Sequence, residues 1–213
     1  MGERVSGGAS NAIRVLLASS NAGKLREYCE MAAGSGVELN LMPDFRKHPA
    51  FDESALTFAE IGAAKALHYS RFADEIVLAD DSGLVVPALG GAPGVRSARY
   101  AGLNATDDQN NRKLLAEMEG REGDERSARF VCVTTLARSG RALAVISDCA
   151  TGSILKEPRG TGGFGYDPLF FSSELGCTFA EAPAGEKNAL SHRGKAFARI
   201  VALLTDQNTL TLS

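Results

Sequence analysis

The sequence predicts one α/β domain in which helices flank a mixed β-sheet, and three features carry that prediction. An apolar stretch, Ile13 to Ala18, runs through a polar loop into a helical pattern, as α/β folds do. Two long β-rich stretches, Ser127 to Arg138 and Ala142 to Ile154, flank the turn Ser139-Gly140 as the arms of a hairpin. Capping boxes at Thr57 and Thr106 mark helix starts between them.

Taken in order, Ile13 to Ala18 reads as a short buried strand. The loop Ser19-Ser20-Asn21-Ala22-Gly23 leads into a helix from about Lys24, with Leu25, Tyr28 and Met31 at helical spacing and Gly34 and Gly36 as its stop. Val37 to Met42 is a second strand, ended by Pro43, and the polar stretch from Arg46 to Ala55 reads as a loop. The Thr57 hydroxyl can accept from the Glu60 amide while the Glu60 side chain reaches back. That opens a helix to about Phe72, with Phe58, Ile61, Ala64 and Leu67 on one face. Ile76 to Ala79 is a short strand that delivers the chain into Asp80-Asp81-Ser82-Gly83. Leu84 to Leu89 is extended, and Gly90 to Gly94 is a turn. Thr106 and Gln109 open a helix through Leu114, Leu115 and Met118 to Gly120. After the hairpin, the glycine-rich segment Gly160 to Asp167 enters the apolar run Leu169-Phe170-Phe171, and the last helix covers about Lys195 to Leu204. No repeat or linker divides the chain, so residues 13–213 are expected to form one domain behind a flexible Gly/Ser-rich leader, residues 1–12.

Composition narrows the function classes. The chain has 213 residues, 44% apolar and 23% charged, which is ordinary for a soluble globular domain. Its four cysteines form no CxxC pair and are expected to be reduced and mostly buried. No stretch reaches the roughly eighteen apolar residues of a membrane helix. The leader also lacks the apolar core of a signal peptide, so a cytoplasmic protein with no membrane partner is expected. A net charge of −3 with no basic run argues against nucleic-acid binding. An anionic substrate would have to be met by a few locally placed cations.

Several segments have the composition of a site, and each has a plainer reading beside it. Gly23-Lys24 looks like the end of a Walker A loop, but Ala18 and Leu25 stand where that motif needs Gly and Ser or Thr. A strand, a tight loop and a helix start still point backbone amides at an anion, and Lys24 adds a charge. The plain alternative is a helix capped by Asn21 with a surface lysine. Gly160, Gly162 and Gly165 satisfy GxGxxG, yet a strand-like run follows where a dinucleotide fingerprint needs a helix. What remains is backbone that can approach a ligand closely, with Phe164 and Tyr166 able to cover a flat ring, or a turn with two core aromatics.

Asp80-Asp81 after an apolar strand is costly unless paired or bound to a metal, and such hard oxygen ligands suit magnesium. Adjacent strand residues point to opposite sides, so at most one would reach a substrate without a turn. A solvated cap is the alternative, because Asp-Ser-Gly is also turn composition. Glu186-Lys187 and Ser191-His192-Arg193-Gly194-Lys195 gather titratable and cationic groups before the last helix, where a positive charge opposes the dipole. This is either a solvated helix start or a site. His48 and His68 have no partner signal and read as structural or surface residues.

Together these segments resemble the inosine-triphosphate pyrophosphatase family, pyrophosphatases of noncanonical purine nucleoside triphosphates. The resemblance rests on Ser19-Ser-Asn-Ala-Gly-Lys24, Glu53 with Leu56-Thr-Phe58, Ala79-Asp-Asp-Ser-Gly-Leu84, Gly90 to Tyr100, Gly160-Thr-Gly-Gly-Phe-Gly-Tyr-Asp-Pro168, and Glu186-Lys187 with Ser191-His-Arg-Gly194. They come in the family's order from about Val15 to the last helix. It implies an elongated α/β fold with a central mixed sheet, two lobes and a substrate cleft between them, usually in a homodimer. It implies hydrolysis of a purine nucleoside triphosphate such as ITP, dITP or XTP to the monophosphate and pyrophosphate. Asp81 would be the general base and would help hold magnesium, with Glu53 sharing the metal and Asp80 a second candidate ligand. Ser19, Ser20, Asn21, Ala22, Gly23, Lys24 and Lys187 would bind phosphates, with Ser82 beside them. Phe164, Gly165, Tyr166, Asp167, His192 and Arg193 would surround the base.

The chain departs from the family in two places. Glu60-Ile61-Gly62 stands where the family commonly has Glu-Asn-Ala, which removes a polar contact. The loop begins Ser19-Ser20 where Thr-Gly or Ala-Ser is usual. Two rival readings differ in class. A Maf-like pyrophosphatase of modified pyrimidine triphosphates is disfavoured by His192-Arg193 and the Gly160–Asp167 segment. A sensing module that binds nucleotides without turnover is disfavoured by Asp81 and Glu53.

Overall fold

The computed structural model describes residues 12–49, 51 and 55–206. Glu53 and the leader to residue 11 lie outside the described residues. The described strands form one seven-stranded mixed sheet in the order β2-β1-β3-β4-β5-β6-β7, from β1 (Ile13–Leu17), β2 (Val37–Leu41), β3 (Ile76–Val85), β4 (Ser127–Arg138), β5 (Arg141–Ile154), β6 (Phe170–Ser172) and β7 (Cys177–Thr178). β1 runs parallel to both β2 and β3, and every pairing from β3 to β7 is antiparallel. The helices are α1 (Ala22–Ala32), α2 (Phe58–Tyr69), α3 (Asp107–Glu117), α4 (Ala184–Leu190) and α5 (His192–Thr205).

Both predicted capping boxes form, each Thr accepting from the residue three ahead and receiving its side chain in return. The hairpin of β4 and β5 also lies where alternation and the Ser139-Gly140 turn place it. Both turn residues take a positive φ, 51° at Ser139 and 75° at Gly140.

The acidic segment departs from expectation. β3 is one ten-residue strand that runs straight through Asp80, Asp81, Ser82 and Gly83 without a turn. Its register with β4 is unbroken from Val77↔Ala137 to Val85↔Arg129. A continuous antiparallel ladder satisfies the backbone of these residues, so pairing overrides their turn composition. Gly83 is needed for another reason: a Cβ there would lie 2.6 Å from the Gly94 carbonyl and 2.3 Å from Ser97 Oγ. That close approach lets Ser97 accept from the Leu84 amide at 2.9 Å.

α1 starts at Ala22 and buries Gly23, Glu27, Tyr28 and Ala32, with Leu25 and Met31 of the expected face partly buried against the same core. α2 ends at Tyr69, short of Phe72, and buries Ile61, Gly62, Ala66 and Tyr69. A Cβ on Gly62 would sit 3.0 Å from the Val133 carbonyl, so this glycine sets the closest approach of α2 to the sheet. α4 has no counterpart in the sequence reading, and α5 begins three residues early, with Ser191 as its cap. Of the four free cysteines only Cys132 is buried, and Cys29 and Cys149 are exposed.

The apolar residues collect at two ends of the sheet. At one end α1 and α5 cover one face through Tyr28, Leu78, Phe197 and Ile200, and α2 covers the other through Ala66, Tyr69, Val77 and Ala79. At the far end Leu84, Leu114, Met118, Phe130, Tyr166 and Phe170 form a separate core. β1 pairs with β3 only as far as Leu17↔Leu78. Beyond Leu78, β3 runs on with no strand on that side, and the gap between the two cores opens there.

Candidate active-site cleft

The gap beside β3 is a cleft walled by both cores. Ser19, Ser20 and Lys24 line it on one side and Phe164 to Asp167 on the other, with Asp81 and Ser82 between them. The loop at its rim is held by short-range bonds. Ser19 Oγ accepts from the Asn21 amide at 3.3 Å, and Asn21 Oδ1 caps α1 through the Lys24 amide at 3.0 Å. The first turn of α1 holds no acidic residue, so its positive end is left for an anion in the cleft.

Strand alternation divides the two aspartates. Leu78, Asp80 and Ser82 face α1 and α5, while Val77, Ala79 and Asp81 face α2. Asp81 is half-buried and lines the cleft beside Lys65 of α2. Asp80 is only 1% exposed. Its Oδ2 lies 3.0 Å from Lys24 Nζ and 3.5 Å from Arg193 Nε, and its Oδ1 is buried without a hydrogen-bond partner. Burial pushes this carboxyl upward, but Lys24 and Arg193 outweigh it and hold it well below the usual carboxylate range. Asp80, expected as a second candidate metal ligand, is thus enclosed with two cations and is not among the residues that line the cleft.

A buried charge network spans the floor. Arg193 donates to Glu27 Oε2 at 2.5 Å and to Ser82 Oγ at 2.7 Å. Lys187 donates to Glu27 Oε1 at 2.6 Å and to Asp167 Oδ2. Three carboxylates (Asp80, Glu27, Asp167) therefore face three cations (Lys24, Lys187, Arg193), which is how such groups survive burial. For Glu27 burial is again outweighed, by Arg193 first and Lys187 next, and the group is lowered. For Asp167 burial wins over Lys187, and the group is raised. His192, stacked on Phe130 at 4.7 Å, is held well below the usual histidine value by burial and then by Arg193 and Lys187. Its Nδ1 has no hydrogen-bond partner. Cys132, next to Asp80, is pushed up to about 12 by burial.

The structure thus brings Ser19, Ser20, Asn21, Lys24, Asp81, Ser82, Phe164, Gly165, Tyr166, Asp167, Lys187, His192 and Arg193 to one cleft. Two expected loop residues are absent from its wall. Ala22 is the first residue of α1, and Gly23 makes room for a ring: a Cβ there would lie 2.5 Å from Phe164. Tyr166 lines the cleft but is rooted in the far core, its hydroxyl donating to the Ser97 carbonyl at 2.8 Å. The half-buried Phe164 stands in the cleft wall with Lys187 Nζ and the Arg193 guanidinium 5.3 and 5.5 Å from its ring centroid, where it can cover a ligand.

Sequence reasoning missed Glu27, Lys65 and Asp107. Glu27 had a signal, a carboxylate three residues after Lys24 and next to Tyr28, but it stood off the assumed Leu25–Tyr28–Met31 face. Lys65 had none, because the face of α2 was misplaced.

A cleft beside β3 with clustered cations, three carboxylates in its wall (Asp81, Asp107 and Asp167, the last paired with Lys187) and an aromatic ring suits a phosphorylated, ring-bearing ligand. Among the described residues no three His, Cys, Asp or Glu side chains converge as a metal group. An ion at Asp81 would complete its shell with substrate phosphates and water, a habit of magnesium, so the donor set fits that ion.

Comparison with known proteins points the same way. The model of the Ham1 family matches residues 15–203. A Geobacillus kaustophilus protein named dITP/XTP pyrophosphatase is 47% identical over 186 residues, covering 87% of this chain and 91% of that protein. A Geobacter sulfurreducens protein of the same name is 49% identical over 185 residues, covering 87% and 93%. The solved HAM1 protein of Coxiella burnetii superposes with a TM-score of 0.78 at 40% identity, covering 91% of this chain and 99% of its own.

Proposed function

The chain belongs to the Ham1 family, and on that premise we propose that it hydrolyses noncanonical purine nucleoside triphosphates, dITP, ITP and XTP, to the monophosphate and pyrophosphate. The observation that carries this reading is the split of Asp80 and Asp81 by strand alternation. One carboxylate is committed to Lys24 and Arg193, and the other is presented to the cleft.

The chemistry follows from that placement. Asp81 takes the proton of a water that attacks the α-phosphorus, and the bond from that phosphorus to the β-bridging oxygen breaks. Pyrophosphate leaves with its charge met by Lys24, held by Asp80, and by the amides at the start of α1. Lys65 supplies a further cation on the α2 side. Magnesium, held by Asp81 with Glu53, would polarise the phosphate and neutralise developing charge. At the other end Phe164 covers the base, and Arg193 and His192 meet its polar edge. A 6-keto purine offers an acceptor to such a donor where adenine offers another donor. A buried unpaired polar group costs about 1–3 kcal/mol, or roughly ten- to hundredfold in selectivity.

The protein works in the cytoplasm as a homodimer, without nucleic-acid or membrane partners. Free thiols suit a reducing compartment. No helix among the described residues is long and apolar enough to cross a membrane. Leu143 and Val145, 36% and 51% exposed on β5, offer apolar surface to a second copy.

Incubation of purified protein with ITP, XTP, dITP, ATP and dTTP plus magnesium tests the reading. Pyrophosphate is expected from the first three at far higher rates than from ATP or dTTP. Equal rates on ATP and ITP would sink the base selection.

A further inference from the structure

The segment that carries Phe164 is poorly suited to hold itself still. It contains Gly160, Gly162, Gly163 and Gly165, and φ is positive at Gly160, Gly163 and Gly165. Glycine loses more conformational freedom on ordering than any other residue. A Cβ on Gly165 would meet nothing within 4 Å, so steric packing does not restrain the tip next to the ring. The root of the segment is held from inside, where Gly162 donates to the Ala180 carbonyl at 3.0 Å and Phe164 donates to Asp167 Oδ2 at 2.8 Å.

The tip is held from outside, by α3. Gly165 donates its amide to Asp107 Oδ2 at 2.6 Å and accepts at its carbonyl from Asn111 Nδ2 at 2.9 Å. One residue is thus gripped at both backbone groups by side chains one helical turn apart. The grip is anchored: the Thr106–Gln109 capping box fixes the start of α3, and Leu114 of the same helix lies in the far core. Asn111 is itself buried. On the other side Phe164 rests against Gly23, at the start of the helix that carries Lys24.

We propose that Asp107 and Asn111 are positioning residues that, by clamping Gly165, set the place of Phe164 over the purine and so contribute to base selection. This rests on the function proposed above. Both act through Phe164, whereas Asp81 stands on β3 and takes no part in the hydrogen bonds that hold Gly165. Releasing the tip therefore weakens binding of the base more than it slows attack at phosphorus.

The test combines kinetics on ITP and ATP with hydrogen exchange of residues 160–167 in the nucleotide-free protein. Asp107→Ala and Asn111→Ala are each expected to raise KM for ITP up to about tenfold, the cost of one hydrogen bond to a charged or buried partner. The fall in kcat should be smaller than the rise in KM, and the preference for ITP over ATP should narrow. Exchange should quicken in residues 160–167 and stay unchanged in β4 and β5. Asp107→Asn keeps an acceptor and should restore most of the ITP preference. Unchanged KM and exchange in both alanine variants would overturn the proposal. So would a fall in kcat at constant KM, or faster exchange throughout the molecule. If the unaltered protein cleaves no purine triphosphate, the functional reading fails and base selection with it, while the exchange comparison still decides whether α3 holds the loop.

Discussion

At the scale of single residues, the cleft depends on groups that would be unstable in isolation. Glu27 serves two buried cations at once, and removing its charge leaves Lys187 with Asp167 and Arg193 with Asp80 as their remaining carboxylates. Glu27→Gln should cost about 3–5 kcal/mol of unfolding free energy, the usual effect of breaking a buried pair, read as a lower denaturant midpoint. A change below about 1 kcal/mol would mean that Asp80 and Asp167 suffice for both cations. Arg126 plays a purely structural part, with its guanidinium bonded to the carbonyls of Met118, Arg121, Ile154 and Leu155. His192 makes stability depend on pH. Its folded-state value lies well below the usual one, whereas an unfolded chain takes up the proton near pH ~6.5. Only the unfolded state gains a proton just below that pH, so the contribution is complete above about 6.5 and declines as the pH falls. The slope is at most about 1.4 kcal/mol per pH unit, until the folded imidazole titrates. His192→Gln should flatten the melting profile between about pH 6.5 and 5.5; an unchanged slope would show that the imidazole is protonated in the folded protein.

At the scale of elements, local signals held wherever local chemistry decides. The capping boxes at Thr57 and Thr106 formed as spacing predicts, because both halves of each box lie within four residues. Thr106→Ala should cost about 1 kcal/mol, measurable by chemical denaturation, and should loosen the helix that grips Gly165. The hairpin of β4 and β5 was equally legible. What the sequence did not disclose was set by distant partners. Asp80 to Gly83 has turn composition, yet β4 pairs with it residue by residue and keeps it extended. The buried face of α2 runs through Gly62 because the Val133 carbonyl comes within contact distance. Gly62→Val should therefore push α2 off the sheet and displace Lys65 from the cleft. Stability should fall by about 1–3 kcal/mol from overpacking, and activity should fall with it; a fully active, equally stable variant would show that α2 can slide. α4 was missed because seven residues, with Gly185 among them, make too short a periodic signal.

At the scale of the whole molecule, the fold presents the chemistry by leaving something out. β1 stops at Leu17 while β3 continues seven residues past Leu78, and that mismatch makes the cleft between two separate cores. Most site segments were readable in the sequence because their motifs come in register. Alternation implied that at most one of Asp80 and Asp81 would reach a ligand. The partners that commit Asp80 to Lys24 and Arg193, and Lys187 and Arg193 to Glu27 and Asp167, come from distant elements and were not legible. The central claim is that Asp81 activates water for attack at the α-phosphorus. It is tested most directly by separating pyrophosphate from orthophosphate after incubating ITP with the unaltered protein and with Asp81→Asn. The unaltered protein should release pyrophosphate and inosine monophosphate, and the variant should be folded with turnover reduced at least a hundredfold, the lower range for loss of a general base. Orthophosphate as the sole product, or a fully active Asp81→Asn, would contradict it.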